Sequence, residues 1–513
     1  MKKKINITGI LLIAAFIVFL VLAGRGMEPR DLLITTLRGF SVGSVTFLVA
    51  AGFSLIFGLL DVLNLAQGTL YMIGAYIGWT VFVRPDTFID ITPLILFLMA
   101  GFALGFLWDY LADKITLDAR KKKILGWAFV VLSIVLAVLI LPRYPIAMWE
   151  LDNYAQSPIS FSYMADQGIR LPVSPAETKG IPAMVALYGS FLISAVLAFG
   201  LALIRYKENR QHSLHWKKWR VFGILIILGT LIMAFNTPLT EWLMNMNTNL
   251  LFVIAAIIAV LSGIGLGALM ETTMIQPLYS RPVYQLMLTL GLGTIGMQLV
   301  KAIWGMPEFV IPKPEMFRGS GPGCPATTIK DVFTHHCSTI MILGGRVRVY
   351  DEIVLPIVGV IILVLVWLLL KKTRIGMIIR AGVQDSNMVE ALGINVRRVF
   401  TLVFALGAGL AALGGVLSAP SYGLSVSMGE KFLLNALIAL AIGGLTSYPG
   451  AALGSLMVGL IQQFMIKYGQ IGIPIPFTDI IFKPTPAIIP ASTMLLMVIV
   501  LLILPNGLLG RQD

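Results

Sequence analysis

Cysteine and histidine are scarce in this chain: 513 residues hold two of the first and four of the second. That excludes a disulfide scaffold and a cysteine-rich metal site. Charge is scarce too. Only 12% of residues are Asp, Glu, Lys or Arg, where a soluble domain carries about 25%, so an ordinary soluble globule is excluded. A disordered chain is excluded by the opposite quantity, because 58% of residues are hydrophobic and the mean hydropathy is +0.89. Sequence signatures of common chemistry are missing as well: there is no Gly-x-x-x-x-Gly-Lys-Ser/Thr phosphate loop, no His-Glu-x-x-His and no Gly-x-Ser-x-Gly.

What the chain has is long apolar runs. A bilayer core of about 30 Å takes roughly 20 apolar residues per helix. Candidate spans fall at 5–23, 40–60, 66–83, 91–111, 124–141, 183–204, 221–235, 250–270, 286–304, 353–370, 399–418, 432–446, 450–466 and 488–504. The expected fold is an all-α, polytopic integral membrane protein of 12–14 helices, because lipid leaves backbone groups no partner outside their own segment. Glycines interrupt 66–83 and 286–304, and 221–235 and 432–446 are short. Span interiors read as almost free of Asp, Glu, Lys and His. Ion-coupled carriers commonly place such residues within the membrane, and enzymes need an acid, base or nucleophile, so both classes are disfavoured. Gly101/Gly105, Gly263/Gly267, Gly450/Gly454 and Ala439/Gly443 are small-xxx-small pairs that let helices approach closely.

The net charge of +13 resolves by side. Lys2 to Lys4, Lys114 with Arg120 to Lys123, the 205–220 loop and the 371–398 loop are separated by even numbers of spans. Together with Arg281 and Arg511 they place 22 basic residues against nine acidic ones on one side, leaving 16 of each sign on the other. The positive-inside rule makes the basic side cytoplasmic; nucleic acid is not implied. N- and C-termini are then cytoplasmic and 142–182 and 305–352 are external loops. The first apolar run reads as an uncleaved anchor or as a signal peptide ending near Gly24. For Cys324 and Cys337 in the second external loop, three readings stand: a disulfide, two free thiols, or a zinc site with His335 and His336, for which the spacing is poor.

Three stretches carry more than composition. One runs from Gly52-Phe-Ser-Leu-Ile-Phe-Gly58 through Leu63-Asn64-Leu65-Ala66-Gln67-Gly68 to Tyr71-Met72-Ile73-Gly74-Ala75-Tyr76. A second runs from Arg380-Ala381-Gly382-Val383-Gln384-Asp385 through Glu390-Ala391-Leu392-Gly393-Ile394-Asn395 to Arg397-Arg398. A third joins Gly443-Gly444-Leu445-Thr446-Ser447-Tyr448-Pro449-Gly450 to Pro505-Asn506-Gly507-Leu508-Leu509-Gly510. The first and third break apolar helical pattern with Gly, Pro or amide residues, a recognised pointer to a translocation pathway when one lies in each half. Asn64, Gln67, Gly68, Gly443, Gly444, Ser447, Pro449 and Gly450 are therefore candidate pathway or gate residues, with a plain tight turn as the competing reading. The segment 377–395 is polar, amphipathic and of helix length.

In order and spacing these motifs resemble the branched-chain amino acid ABC transporter permeases of the LivH/LivM type, over about 36–82 and 249–513. The resemblance implies a membrane subunit with no bound cofactor, ATP binding a separate subunit. Its implied partners are cytoplasmic ATPase subunits, a second permease subunit, an extracytoplasmic solute-binding protein and a small-molecule substrate. Asp385, Glu390, Ala391, Leu392 and Gly393 would form the coupling helix that enters a groove of the ATPase. The expected setting is a bacterial inner membrane, and the expected organisation is 1–35 as anchor and outer loop, 36–82 and 249–513 as permease core, and 83–248 as an insertion with four extra spans. Departures are present: Gln67 stands where the family usually has His, and Ile275-Gln276-Pro277 follows Glu271 where Tyr-Arg-Pro is usual, with Arg281-Pro282 further on. Permeases for urea, amides or other small solutes, and a self-sufficient secondary transporter, are the competing functions.

Overall fold

The computed structural model describes residues 7–60, 62–150, 157–169, 180–205, 216–279, 281–305, 308–384, 386–393, 395–474 and 481–510. Helix dominates. In chain order the helices are α1 (Ile7–Gly24), α2 (Pro29–Leu60), α3 (Gln67–Val83), α4 (Pro85–Ala103), α5 (Gly105–Lys114), α6 (Ala119–Ile140), α7 (Ser157–Asp166), α8 (Ala183–Ile204), α9 (Trp216–Ala234) and α10 (Asn236–Met244). They continue as α11 (Thr248–Met270), α12 (Pro282–Trp304), α13 (Ile329–His335), α14 (Leu355–Lys372), α15 (Arg374–Gln384), α16 (Ser386–Ala391), α17 (Val396–Tyr422), α18 (Met428–Gly443), α19 (Tyr448–Ile471) and α20 (Ile488–Ile503). A hairpin of β1 (Thr339–Ile342) and β2 (Gly345–Arg348) lies in the 305–352 segment.

Among the described residues nine helices are long and apolar enough to cross a membrane, and a tenth if α9 and α10, bent by 73° at Phe235, count as one. The chain is a multi-pass, all-helical membrane protein. Each of the 14 expected spans has a helix, but α3 and α18 have only 17 and 16 residues, and α1 and α20 are short apolar helices. The expected span 91–111 is a correction: its helix begins at Pro85 and stops at Ala103, and α5 starts anew at Gly105. Asp86 and Asp90 thus fall inside a membrane-length helix, as Glu271 does at the end of α11, and all three are buried. The reading of spans free of ionisable groups holds for the middles of helices and fails at their ends.

The chain divides into two compact units, 1–79 with 248–513, and 80–247. In the first, α2 is the central helix, packed by α14, α17, α18 and α19 and 83% buried along its most apolar window, against 11% for α14. Small residues make this closeness feasible where hydrocarbon supplies no hydrophobic drive between helices. Gly39 and Gly43 of α2 face Leu460 and Leu456 of α19, and Gly263 and Gly267 of α11 face Ala412 and Ala408 of α17. At one end, Arg38 pairs with Glu352 at 2.7 Å and Lys313 with Asp351 at 2.9 Å, Ser421 donates to Asp351 at 2.6 Å, and Lys467 pairs with Asp31 at 2.7 Å. These contacts gather the start of α2, the segment 308–354 and the ends of α17 and α19. The helix breaks α2–α3 and α18–α19 and the short helices α15 and α16 lie away from these contacts, whereas Tyr76, the last residue of the first motif, packs against Phe309.

The second unit packs α4 between α8 and α9, with α6 against α8. Gly101 faces Ser194, but nothing lies near Gly105, so the Gly101/Gly105 pair is not one packing face. At the start of α4, the buried Arg84 pairs with Asp86 at 2.8 Å and lies 4.2 Å from the Phe161 ring centroid. Asp90 accepts from the Ala147 amide at 2.8 Å and from the Asn236 amide group at 2.7 Å. A buried charge is tolerated only when it is paired or hydrogen-bonded in this way.

Candidate functional site

The first helix break lies between α2 and α3. Asn64 and Gln67 are fully buried, and side-chain amides hold the turn. The Asn64 Nδ2 donates to Gln67 Oε1 at 3.2 Å, and Asn64 Oδ1 accepts from the Ala66 amide at 3.2 Å. Gln67 Nε2 then donates to the Gly407 carbonyl of α17 at 2.7 Å. Thr289 of α12, also buried, accepts from the Leu65 amide and donates to the Leu63 carbonyl, each at 3.2 Å. Backbone groups freed by the missing helical turn are thereby satisfied, as a membrane interior requires. The Gly68 Cα sits against the Gly429 carbonyl of α18, so a Cβ there has no room.

The second break joins α18 to α19 by backbone and bare Cα atoms. The Ala439/Gly443 pair on α18 meets the Gly450/Gly454 pair on α19: a Cβ at Gly443 would run into the Gly450 carbonyl, and one at Gly454 into the Ala439 carbonyl. Gly444 closes α18 at φ +105°, a conformation only glycine adopts without strain. Ser447 caps α19 by accepting from the Gly450 amide at 3.2 Å, and Pro449 occupies the first turn, where no N–H is needed. The last carbonyls of α18 are satisfied from far along the sequence, since the Leu508 and Leu509 amides donate to Ile442 and Gly443 at 2.9 and 3.0 Å. The third sequence motif is therefore one structural object, its two pieces folded onto each other.

The polar segment after α14 forms two short helices at this same end. Glu390, Ala391, Leu392 and Gly393 are brought together at an exposed tip, with Leu392 74% exposed and Gly393 turning the chain at φ +82°. Asp385 lies outside the described residues. Val389 is the buried anchor of α16. Met388, 64% exposed and one turn from Leu392, gives the tip a second apolar contact that sequence reasoning missed, although the i, i+4 spacing is readable. Asn395 starts α17 by accepting from the Arg398 amide at 3.2 Å.

Five residues into α17, Thr401 donates to the fully buried Glu271, which also accepts from Tyr279 at 2.6 Å. Burial pushes the Tyr279 hydroxyl well above its ordinary range, and the hydrogen bond and charge of Glu271 add to this, so Tyr279 stays a donor. A π-helical turn, Glu271–Ile275, aims the carboxylate inward at the end of α11. This link ties α11 to the helix that follows α16.

At the opposite end, Cys324 and Cys337 are joined by a disulfide with Cα atoms 5.5 Å apart. It closes a small cap whose core is Ala326, Val332, Ile340, Val347 and Val349. The capping box of Thr328 and Asp331 starts α13, and its hydrogen bonds hold the Asp331 carboxyl below its usual range.

Among known proteins, the family model described as "Branched-chain amino acid transport system / permease component" matches residues 220–505, more than half of the chain. The permease protein BraD of Pseudomonas aeruginosa, of a high-affinity branched-chain amino acid transport system, is 31% identical over 174 residues, covering 33% of this chain and 51% of the relative. The corresponding LivH of Escherichia coli K12 is 30% identical over 163 residues, 32% of this chain and 48% of the relative. The fructose import permease FruF of Bifidobacterium longum is 31% identical over 121 residues, 22% of this chain and 34% of the relative. The chain spans about half the length of the first two relatives. No solved structure matches. The matched residues hold the second and third motifs and the second helix break, while the first motif and first break lie before them, and the chain belongs to the branched-chain amino acid transport system permease family.

Proposed function

We propose that the protein is the membrane subunit of an ATP-driven importer and passes branched-chain or related amino acids across a bacterial inner membrane. The basic end faces the cytoplasm, and both termini of the given chain lie on that side. The observation that carries the reading is the exposed tip Glu390–Gly393, an apolar and small-residue surface outside every membrane-length helix, on a chain of this family. In this reading the ATPase covers Leu392, which stands exposed beside the small Ala391 and Gly393.

In this reading ATPase subunits receive the tip, a second permease subunit completes the pathway and an extracytoplasmic binding protein delivers the solute. Movement of α16 passes to α17 directly and to α11 through Thr401 and Glu271. No residue of the chain performs covalent chemistry, and ATP is hydrolysed on the partner. A second substrate class, other small polar solutes, draws support from the match to a fructose import permease.

The test is purification in mild detergent with the candidate ATPase, followed by labelled leucine uptake in proteoliposomes. Ala391→Trp and Leu392→Asp are expected to abolish ATPase co-purification and uptake while leaving the thermal midpoint unchanged. Full uptake by either variant, or uptake driven by an ion gradient with no ATPase present, overturns the proposal.

A further inference from the structure

The first unit contains a cavity of about 180 Å³ that the transport reading does not use. Val260 and Ile264 of α11, Val366 and Leu370 of α14, and Leu410 of α17 line it, and Ile379 of α15 closes one end. Every lining side chain is apolar, and polar surface is nearly nil. An amino acid would leave its ammonium and carboxylate unpaired there, at a cost of several kcal/mol each. Apolar space of this kind favours hydrocarbon over water, and its volume, close to the about 150 Å³ that accommodates benzene, takes a segment of an acyl chain lying along the open slot. The cavity is therefore not part of a polar-solute pathway.

Its position says which hydrocarbon. α11 and α14 flank α17 on the outward side of the bundle. Their outer faces carry exposed residues such as Val253, Ile257 and Leu261 on one and Val360, Ile361, Val364 and Leu365 on the other, as a lipid-facing surface does. At the end closed by Ile379, the lining residues Leu369 and Leu370 run directly into Lys371 and Lys372, and Ile379 into Arg380. Arg374, Arg397 and Arg398 complete an exposed basic rim, with Lys371 lying 4.6 Å from the Trp367 ring centroid. Against them stand the exposed Glu390 and the buried Glu271, the latter already engaged by Thr401 and Tyr279. An apolar slot open along its side, with a basic rim beside its Ile379 end, has the complementarity of an anionic phospholipid.

We infer that an anionic phospholipid binds here, one acyl chain in the slot between α11, α14 and α17 and its phosphate on Lys371, Lys372 and Arg374. Because Ile379 belongs to α15, the acyl chain supports the helix that leads into the exposed tip. Lipid identity then sets how firmly the coupling segment is held. The binding itself does not depend on the transport reading.

The experiment uses the full chain in nanodiscs and phosphatidylglycerol carrying a photoreactive acyl chain, with phosphatidylcholine bearing the same chain as comparison. Expected is phosphatidylglycerol labelling confined to peptides 260–264, 362–370 and 403–413. The variant with Lys371→Gln, Lys372→Gln and Arg374→Gln should lose roughly fivefold in labelling per charge removed, with phosphatidylcholine unaffected. Those three side chains are exposed, so the variant keeps its fold; an unchanged thermal midpoint checks this. Val366→Trp, which fills the slot, should reduce labelling of the same peptides by either lipid. Equal labelling by the two lipids, or no response to the triple variant, overturns the proposal. So does efficient cross-linking of two copies through cysteines placed at Val260 and Val366 with no lipid adduct, which would make the slot an interface between copies.

Discussion

The two helix breaks solve one problem by opposite means. Between α2 and α3, buried side-chain amides and a threonine hydroxyl do what the missing helical turn cannot, and Asn64, Gln67 and Thr289 are all fully enclosed. Between α18 and α19, apart from the Ser447 cap, side chains are left out, and backbone meets backbone at Gly443, Gly444, Gly450 and Gly454. The first arrangement rests on hydrogen-bond geometry and tolerates a substitute that presents the same donor. The second rests on excluded volume and tolerates nothing added.

That contrast is open to attack in descending order of effect. Gly443→Leu drives a side chain into the Gly450 carbonyl; a loss of about 3 kcal/mol or more is expected, seen as a failure to accumulate in membranes. Recovery of normal yield would show that the second break is looser than its packing indicates. Gly444→Ala meets both a left-handed backbone and the Gly510 amide, and should cost about 1–3 kcal/mol, measured as a lowered midpoint in detergent. Gln67→Ala removes the donor to Gly407 and should cost about 1–2 kcal/mol. Gln67→His, which restores the residue usual in the family and can donate to the same carbonyl, should recover most of that. If Ala and His behave alike, the amide is not what holds the first break. The smallest change is Ser447→Ala, the loss of one helix cap, worth about 1 kcal/mol in thermal unfolding.

The positions of the helices were legible because apolar runs of span length are unambiguous in lipid. The breaks were legible because Gly, Pro and Asn interrupt those runs. What could not be read was partnership. Gln67 and Gly407 are 340 residues apart, Leu65 and Thr289 are 224 apart, and no periodicity reports a contact at that distance. Pro85 misled in a simpler way. Arg84-Pro85-Asp86 reads as an external loop, yet proline belongs in the first turn of a helix, and the charges it brings are buried by partners at Phe161, Ala147 and Asn236. Leu392 was read from its motif, whereas Met388 emerged only once α16 showed them a turn apart.

The amides of Leu508 and Leu509 that close α18 have a consequence for how the protein is made. A ribosome delivers α18 to the membrane well before it reaches those residues, since α19 and α20 are translated in between. Until then the carbonyls of Ile442 and Gly443 have no partner from this source, and the α18–α19 hairpin waits in the bilayer with an open end. Domains generally form N-terminal first during synthesis. Here the α18–α19 hairpin is completed only when nearly the whole given chain has emerged, so its closure is among the last steps of folding rather than among the first.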